Sequence, residues 1–428
     1  MSPEINADNI DTFSSRMADP TFCHTPEYGH MLRWLRENDP VRWAQPWPDR
    51  GAWLIARHAD LKMIYDQPNL FSSEAAGNII PADPDFHKHD RESQGFGVMV
   101  SNTDPPRHGD LRRVFARYFS GPQVAKLDGQ CQKVVEGILD EMQGRDTFDY
   151  AMETATQVPA RMIFQLLGIP REDWARLEGV VSSFAFYSDP EFQLGDSPGA
   201  TFRKAMDITF DYIAKLVEQR RHDPQEDLCT IAAQGQIDGE PWTEQEAAWG
   251  AWQLLAAGFE TSRNVIAGGL LALLQHPDQM ALLRADPGLM NTAIGEMLRW
   301  TSPATTNLRV ATADTEIAGR KIAKGDWLFL MIDSANRDES VFADPYRFDI
   351  TRKINPYLTF GHGTHNCIGR MLAMLEAKVM LRNLLARTDH IEIAGPLVFG
   401  GSVAKGVKHL PVRIAWSQDH RHRIGNAA

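Results

Sequence analysis

Apolar residues fall at helical spacing along most of the chain. Between Tyr28 and Glu37 they recur at Met31, Leu32, Trp34 and Leu35, and Ala59 to Tyr65 reads as a second short helix. Residues 120 to 235 are mostly helical by the same criterion, with breaks at Gly168-Ile169-Pro170, Asp189-Pro190 and Gly195 to Gly199. Extended patterning is confined to small regions. Val41 to Ala44 and Ala52 to Ala56 predict a hairpin, Ile317 to Leu330 predicts short strands about a Gly-Arg turn, and residues 390 to 416 alternate between glycine turns. Residues 1 to 20 predict a loosely held tail. No repeat or long linker divides the remainder of the chain, so residues 21 to 428 are expected to form one domain, mainly α with small β regions.

One helix stands apart. Thr243-Glu244-Gln245-Glu246 is a capping box, and His276-Pro277 is a stop. The roughly 32 residues between them span about 48 Å at 1.5 Å per residue. The segment is apolar nearly all round (Trp249, Trp252, Leu254, Leu255, Val265, Ile266, Leu270, Leu271), the pattern of a helix crossing a large core. Its centre, Ala257-Gly258-Phe259-Glu260-Thr261-Ser262-Arg263, is polar. Gly258 weakens the helix there, and Thr261 and Ser262 can bond back one turn and bend it. Glu260 and Arg263 are three apart. Either they pair on a surface, or the acid is buried and has a function.

Further on, PYLTFGHGTHNCIGRMLAMLEAKVMLRNLL reads as a glycine-bearing loop, a single cysteine and a helix with apolar positions at Ile368, Met371, Leu372, Leu375 and Val379. This puts Cys367 at or just before a helix N-terminus, where free N–H groups favour a thiolate. Such a thiolate is a nucleophile, a metal ligand or inert. Gly361, Gly363 and Gly369 let the backbone turn tightly and approach something flat and bulky.

Composition narrows the field. Hydrophobic residues make up 43% and charged residues 23% of 428, ordinary for a protein with a substantial core. The four cysteines (Cys23, Cys131, Cys229, Cys367) are scattered without a CxxC, which argues against a disulfide framework or zinc site and suits a reducing cytoplasm. The polar start, MSPEINADNIDTF, has no leader pattern, and no run of about eighteen apolar residues suggests a membrane span. The formal charge of -12 gives no support to nucleic-acid binding.

The cysteine stretch resembles the haem-binding loop of the cytochrome P-450 family, Phe-Gly-x-Gly-x-His-x-Cys-x-Gly. That pattern is complete here in Phe360, Gly361, Gly363, His365, Cys367 and Gly369. Other motifs follow in family order over essentially the whole chain. The resemblance implies a long central helix over haem b with the cysteine loop beneath, and Cys367 as the axial thiolate. His108, Arg112, Arg309 and His365 would hold the haem propionates. Glu260 and Thr261 match the acid–alcohol pair used for oxygen activation, with Glu where soluble members more usually have Asp, and Ser262 where many have a second Thr. Glu296 and Arg299 match the structural Glu-x-x-Arg; their third partner is expected to be Arg347, in Pro345-Tyr346-Arg347-Phe348, with Arg352 as the fallback. Residues 72 to 98 would be the substrate-covering loop. Phe96, Val98, Leu255, Thr305, Phe399 and the Phe184–Tyr187 cluster, Phe186 included, would line an apolar pocket.

The activity so implied is insertion of one oxygen atom of O2 into a small hydrophobic molecule: hydroxylation or oxidative demethylation of a terpenoid, steroid or aromatic compound. No flavin or iron–sulfur domain is fused, so electrons from NAD(P)H would arrive through a separate ferredoxin and reductase, or a flavodoxin. Arg112, Arg113 and Arg370 would meet an acidic partner on the cysteine side. The absence of an N-terminal anchor points to the soluble bacterial branch of the family. A peroxide-driven peroxygenase and a non-catalytic haem-thiolate sensor are the alternatives; neither needs the acid–alcohol pair.

Overall fold

The computed structural model describes residues 4–81, 91 and 94–418; the middle of the predicted covering loop lies outside the described residues. The apolar segment from the capping box forms one helix, Glu244–Gln275, of 32 residues, with both reciprocal bonds of the Thr243/Glu246 box in place. It packs against the helices Gln157–Leu167, Pro198–His222, Met290–Thr301 and Arg370–Arg387, and the main core surrounds it. Being apolar on every face, it is stable only where it is covered on every face. Its central turn is the exception. Ala257 is exposed, and Gly258 and Thr261 are half-buried, while Phe259, Glu260 and Ser262 are buried. The helix runs unbroken through this turn, and Thr261 Oγ1 donates to the Ala257 carbonyl at 2.7 Å.

The predicted hairpin is present as Val41–Trp47 and Arg50–Ile55. It continues into a five-stranded sheet with Trp327–Met331, Thr306–Ala311 and Phe71–Ser72, in that order. All pairs are antiparallel except Trp327–Met331 with Arg50–Ile55. Thr388–Ile393, Pro411–Trp416 and Thr147–Asp149 form a second sheet. Val398–Gly400 pairs with Gly406–His409 in a separate hairpin.

One local reading changes. Residues 4 to 20, expected as a loose tail, pack instead: Ile5, Ile10 and Met17 are buried against the first hairpin and the helix Pro26–Asn38, and Asp11 pairs with Arg42 at 2.7 Å. Apolar residues spaced through that acidic stretch supply the docking face. Asp104 precedes a helix without capping it. Its carboxylate accepts from the Ser73 N–H at 2.8 Å and the Glu74 N–H at 3.2 Å, and the helix begins at Arg107.

Candidate active site

Two glycines shape the cysteine loop. Gly361 and Gly363 have φ of 66° and 65°, and a Cβ on Gly363 would lie 2.7 Å from the Tyr65 carbonyl oxygen, so both positions require glycine. The loop closes on itself through Cys367 N–H to Phe360 O at 2.8 Å. The helix starts at Arg370 with Gly369 as its N-cap, two residues beyond the cysteine. The Cys367 side chain is exposed at the loop surface; the protein packed around it still holds its thiol above the ordinary value, partly offset by the Gly369 and Arg370 N–H groups and the Arg112 and Arg370 guanidinia. A Cβ at Gly369 would meet no atom within 4 Å.

A buried ion network braces the loop from one side. Arg299 makes five hydrogen bonds: two to the Glu296 carboxylate, and one each to the carbonyls of Asn336, Pro345 and Arg347. The third side chain of the network is Arg352, not Arg347. Arg352 Nε donates to Glu296 Oε2 at 3.2 Å, whereas Arg347 is exposed and contributes only its carbonyl. The buried neighbour Phe348 turns the Arg347 side chain outward. Asn336 was missed by sequence reading. Its amide donates to Ser302 and Thr359 hydroxyls, and its oxygen accepts from the Leu358 N–H at 2.7 Å, so it pins the chain entering Phe360. Nothing local in its sequence signals this.

Basic side chains gather beside the loop. The His108 and His365 rings lie 4.0 Å apart by centroid. Both nitrogens of His108 and Nε2 of His365 are buried with no hydrogen-bond partner. Arg309 is buried, held by Asn78 Oδ1 and the Leu308 carbonyl, each at 2.7 Å. Among the described residues, no carboxylate pairs with Arg309 or Arg112. The acid that bears on Arg309 and His108, Asp104, is occupied by Ser72, Ser73 and Glu74. Burial and then the neighbouring arginines push His108 down to about 4 and His365 down to about 2; burial also lowers Arg309 and Arg112. Two histidines with orphaned ring nitrogens and two arginines with no carboxylate partner among the described residues fit a ligand that presents buried carboxylates, as the haem propionates do.

On the long helix, Glu260 and Arg263 form an ion pair, buried rather than on the surface, with Arg263 Nη1 to Glu260 Oε1 at 2.8 Å. Asn264 donates to the same oxygen at 3.0 Å, and Oε2 is buried without a partner. Burial raises the Glu260 carboxyl, opposed by Arg263 and Asn264. Sequence reading also missed Glu376, on the helix after the cysteine. It shares the buried phase of Leu372, Val379 and Asn383, which was the available signal. It faces the Ser262 hydroxyl, its Oε2 has no partner, and burial lifts it to about 8.

The expected pocket residues separate. Leu255 and Phe96 are buried, and Val98 and Thr305 are half-buried. Thr305 lines a cleft with Tyr28, Ile79, Tyr187 and the hairpin tip at Gly401 to Lys405. Phe184 is instead absorbed by the core, stacked on Phe202 at 4.8 Å and edge-on to Trp252. Phe186 stacks on Phe192 and lies under Arg263 at 5.0 Å. Phe399 is 49% exposed, on the outside of its hairpin, whose buried members are Ala404, Val407 and Lys408. Neighbouring aromatics claim the first two, and the strand pairing leaves the third in solvent.

A helical fold with small sheets, a glycine-shaped cysteine loop and a carboxylate-seeking basic cluster defines a haem-thiolate protein. The sequence model of the family described as Cytochrome P450 matches residues 186–392. The chain is 34% identical to cytochrome P450 NovI of Streptomyces niveus over 93% of its own length and 96% of that relative. It is 32% identical to linalool 8-monooxygenase of Pseudomonas putida over 88% and 93%. The crystal structure of CYP108D1 from Novosphingobium aromaticivorans superposes with a TM-score of 0.84 at 29% identity, covering 97% of this chain and 100% of that one. The chain belongs to the cytochrome P450 family. It is a monooxygenase whose cofactor is haem and whose reaction joins O2 and a small molecule. Among the described residues no helix is long and apolar enough to cross a membrane.

Proposed function

We propose that this enzyme hydroxylates or oxidatively demethylates a hydrophobic small molecule of terpenoid, steroid or aromatic type, taking electrons from NAD(P)H through a separate ferredoxin or flavodoxin and its reductase. Cys367 would supply the thiolate that holds the haem iron, and His108, Arg112, Arg309 and His365 would hold the propionates. When bound, haem supplies the electron-transfer and oxygen-cleaving chemistry. The chain supplies the rest. The half-buried Thr261 hydroxyl, whose proton rests on the Ala257 carbonyl, presents its free lone pairs as an acceptor, and the free Glu260 Oε2 carries protons to it. The apolar faces of Leu255 and Val98 exclude water.

The observation that carries this reading is the exposed turn Ala257–Gly258–Thr261 in an otherwise buried helix, next to a buried acid with one free oxygen. Such an arrangement is wasted in a carrier or sensor, and the acid–alcohol pair counts against a peroxygenase. Relatives named for linalool oxidation and for vitamin D3 25-hydroxylation support the lean toward terpenoids and steroids. Exposed Arg370, which bears on the cysteine, and exposed Arg113, which pairs with Asp110, suit an acidic redox partner.

The test is a screen of linalool, testosterone and simple aromatics for a substrate-induced spin-state shift. Turnover of any binder is then compared between an NADH–ferredoxin system and hydrogen peroxide. Turnover with peroxide alone would favour the peroxygenase, and no turnover with either would favour the sensor.

A further inference from the structure

The Glu260 carboxylate is not held by its own helix alone. Arg263, 1% exposed, reaches from it in three directions. Nη1 donates to Glu260 Oε1 at 2.8 Å, and Nε donates to the Thr156 hydroxyl at 2.9 Å. Nη2 donates to the carbonyls of Val407 and Lys408, both at 2.9 Å, on the inner strand of the hairpin Val398–His409. Asn264, the other donor to Oε1, interlocks with the same strand: a Cβ on Gly406 would overlap the Asn264 side-chain oxygen. The hairpin is fixed at both ends. Lys408 Nζ lies 2.8 Å from both Asp189 and Glu191, and His409 is held between Asp149 and Glu191. At the tip, Ser402 N–H donates to the Ala185 carbonyl at 2.9 Å and Lys405 N–H to the Pro303 carbonyl at 2.8 Å, beside the cleft lined by Thr305, Tyr28 and Tyr187.

We propose that Arg263 and Asn264 are positioning residues for Glu260, and that the hairpin Val398–His409 is the seat on which they rest, so that displacement of its tip by a guest in the cleft is transmitted to the carboxylate. This rests on the reading of Glu260 as the proton carrier. Arg263 occupies one oxygen and leaves Oε2 free, which fixes the atom that can bear the proton. The charged groups that bear on Glu260 are few. Among the described residues, Arg263 is the charged group that acts on it; the hairpin's Lys408 and His409 are taken up by Asp189, Glu191 and Asp149, and Glu376 on the packed cysteine helix faces Ser262 instead. Loosening the Arg263 clamp therefore leaves burial unopposed and favours the protonated acid.

Two readouts on the folded haem protein test this without turnover. The protonated-carboxyl stretch of Glu260 is assigned in infrared difference spectra by its loss in Glu260→Gln, then followed with pH. Arg263→Lys, too short to span the carboxylate and both carbonyls, and Gly406→Ala, which forces Asn264 or the strand aside, should each move its disappearance upward by about one pH unit or more. Amide exchange of residues 406–409 should accelerate about fivefold or more in Glu260→Gln, because the clamp loses its ionic anchor. Unmoved titration in the variants, or unchanged exchange in Glu260→Gln, would overturn the link. Should Arg263→Lys not fold, Gly406→Ala and the exchange comparison still decide. Neither readout depends on catalysis, so failure of the link is distinct from failure of the turnover experiment.

Discussion

Glu376→Gln is the substitution whose effect can be worked furthest. Glu376 is buried between the cysteine helix and the long helix, with one oxygen unpartnered and the other toward Ser262. Its carboxyl sits at about 8 in the folded protein, against an ordinary value of 4.5. The folded state therefore holds this proton through a range in which the unfolded chain has released it. Its contribution to stability is full below the unfolded value and is lost as pH rises through the folded one. The slope is about 1.4 kcal/mol per pH unit, and a shift of this size amounts to about 4–5 kcal/mol as an upper bound. Glutamine has nearly the same shape and cannot ionise. Wild type and Glu376→Gln should thus unfold alike at about pH 4, and the variant should gain steadily, reaching a lead of several kcal/mol by about pH 9. Urea unfolding of the haem-loaded proteins at several pH values measures this. Parallel stability curves, or a lead for the wild type at high pH, would refute the argument that Glu376 is a neutral buried acid.

Three other outcomes are expected. Cys367→Ala should abolish the red-shifted Soret band of the ferrous CO complex, and retention of the band would mean another ligand. Thr261→Ala should keep haem but lower product per NAD(P)H by about tenfold, the lost electrons appearing as peroxide or water; an unchanged yield would remove Thr261 from the proton path. Arg352→Met should cost about 2–4 kcal/mol because it strips a partner from buried Glu296, while Arg347→Met should stay within about 0.5 kcal/mol. Chemical denaturation compares them, and a larger loss at Arg347 would reverse the assignment.

The parts of the molecule legible in the sequence are those whose cause is local. The Thr243/Glu246 box, the stop at His276-Pro277 and the Thr261 back-bond each depend on residues within a turn of one another, and each is present. The glycine and cysteine spacing is likewise read within ten residues. What escaped depends on segments arriving from far away. The sequence leaves the Glu260–Arg263 pair open between surface and interior because the strand that covers Arg263, Gly406–His409, lies more than 140 residues later. The local motif favours Arg347 over Arg352, yet with Phe348 buried and Arg347 exposed it is Arg352 that reaches Glu296. Phe184 and Phe186 were plausible pocket walls until Phe202, Trp252 and Phe192 covered them.

The brace on the cysteine loop is fastened from a single flank. Glu296, Arg299, Asn336, Arg352 and Thr359 bond to one another, to nearby side chains such as Ser302 and Asn355, and to the backbone of the helix and meander. Among the described residues, none of these side chains shares a hydrogen bond with Val98, Leu255 or Thr305. Mutations that retailor the cleft for a different guest can therefore accumulate without disturbing the seat of the sulfur. A lineage built on this frame is free to wander in what it oxidises while the machinery that oxidises stays moored.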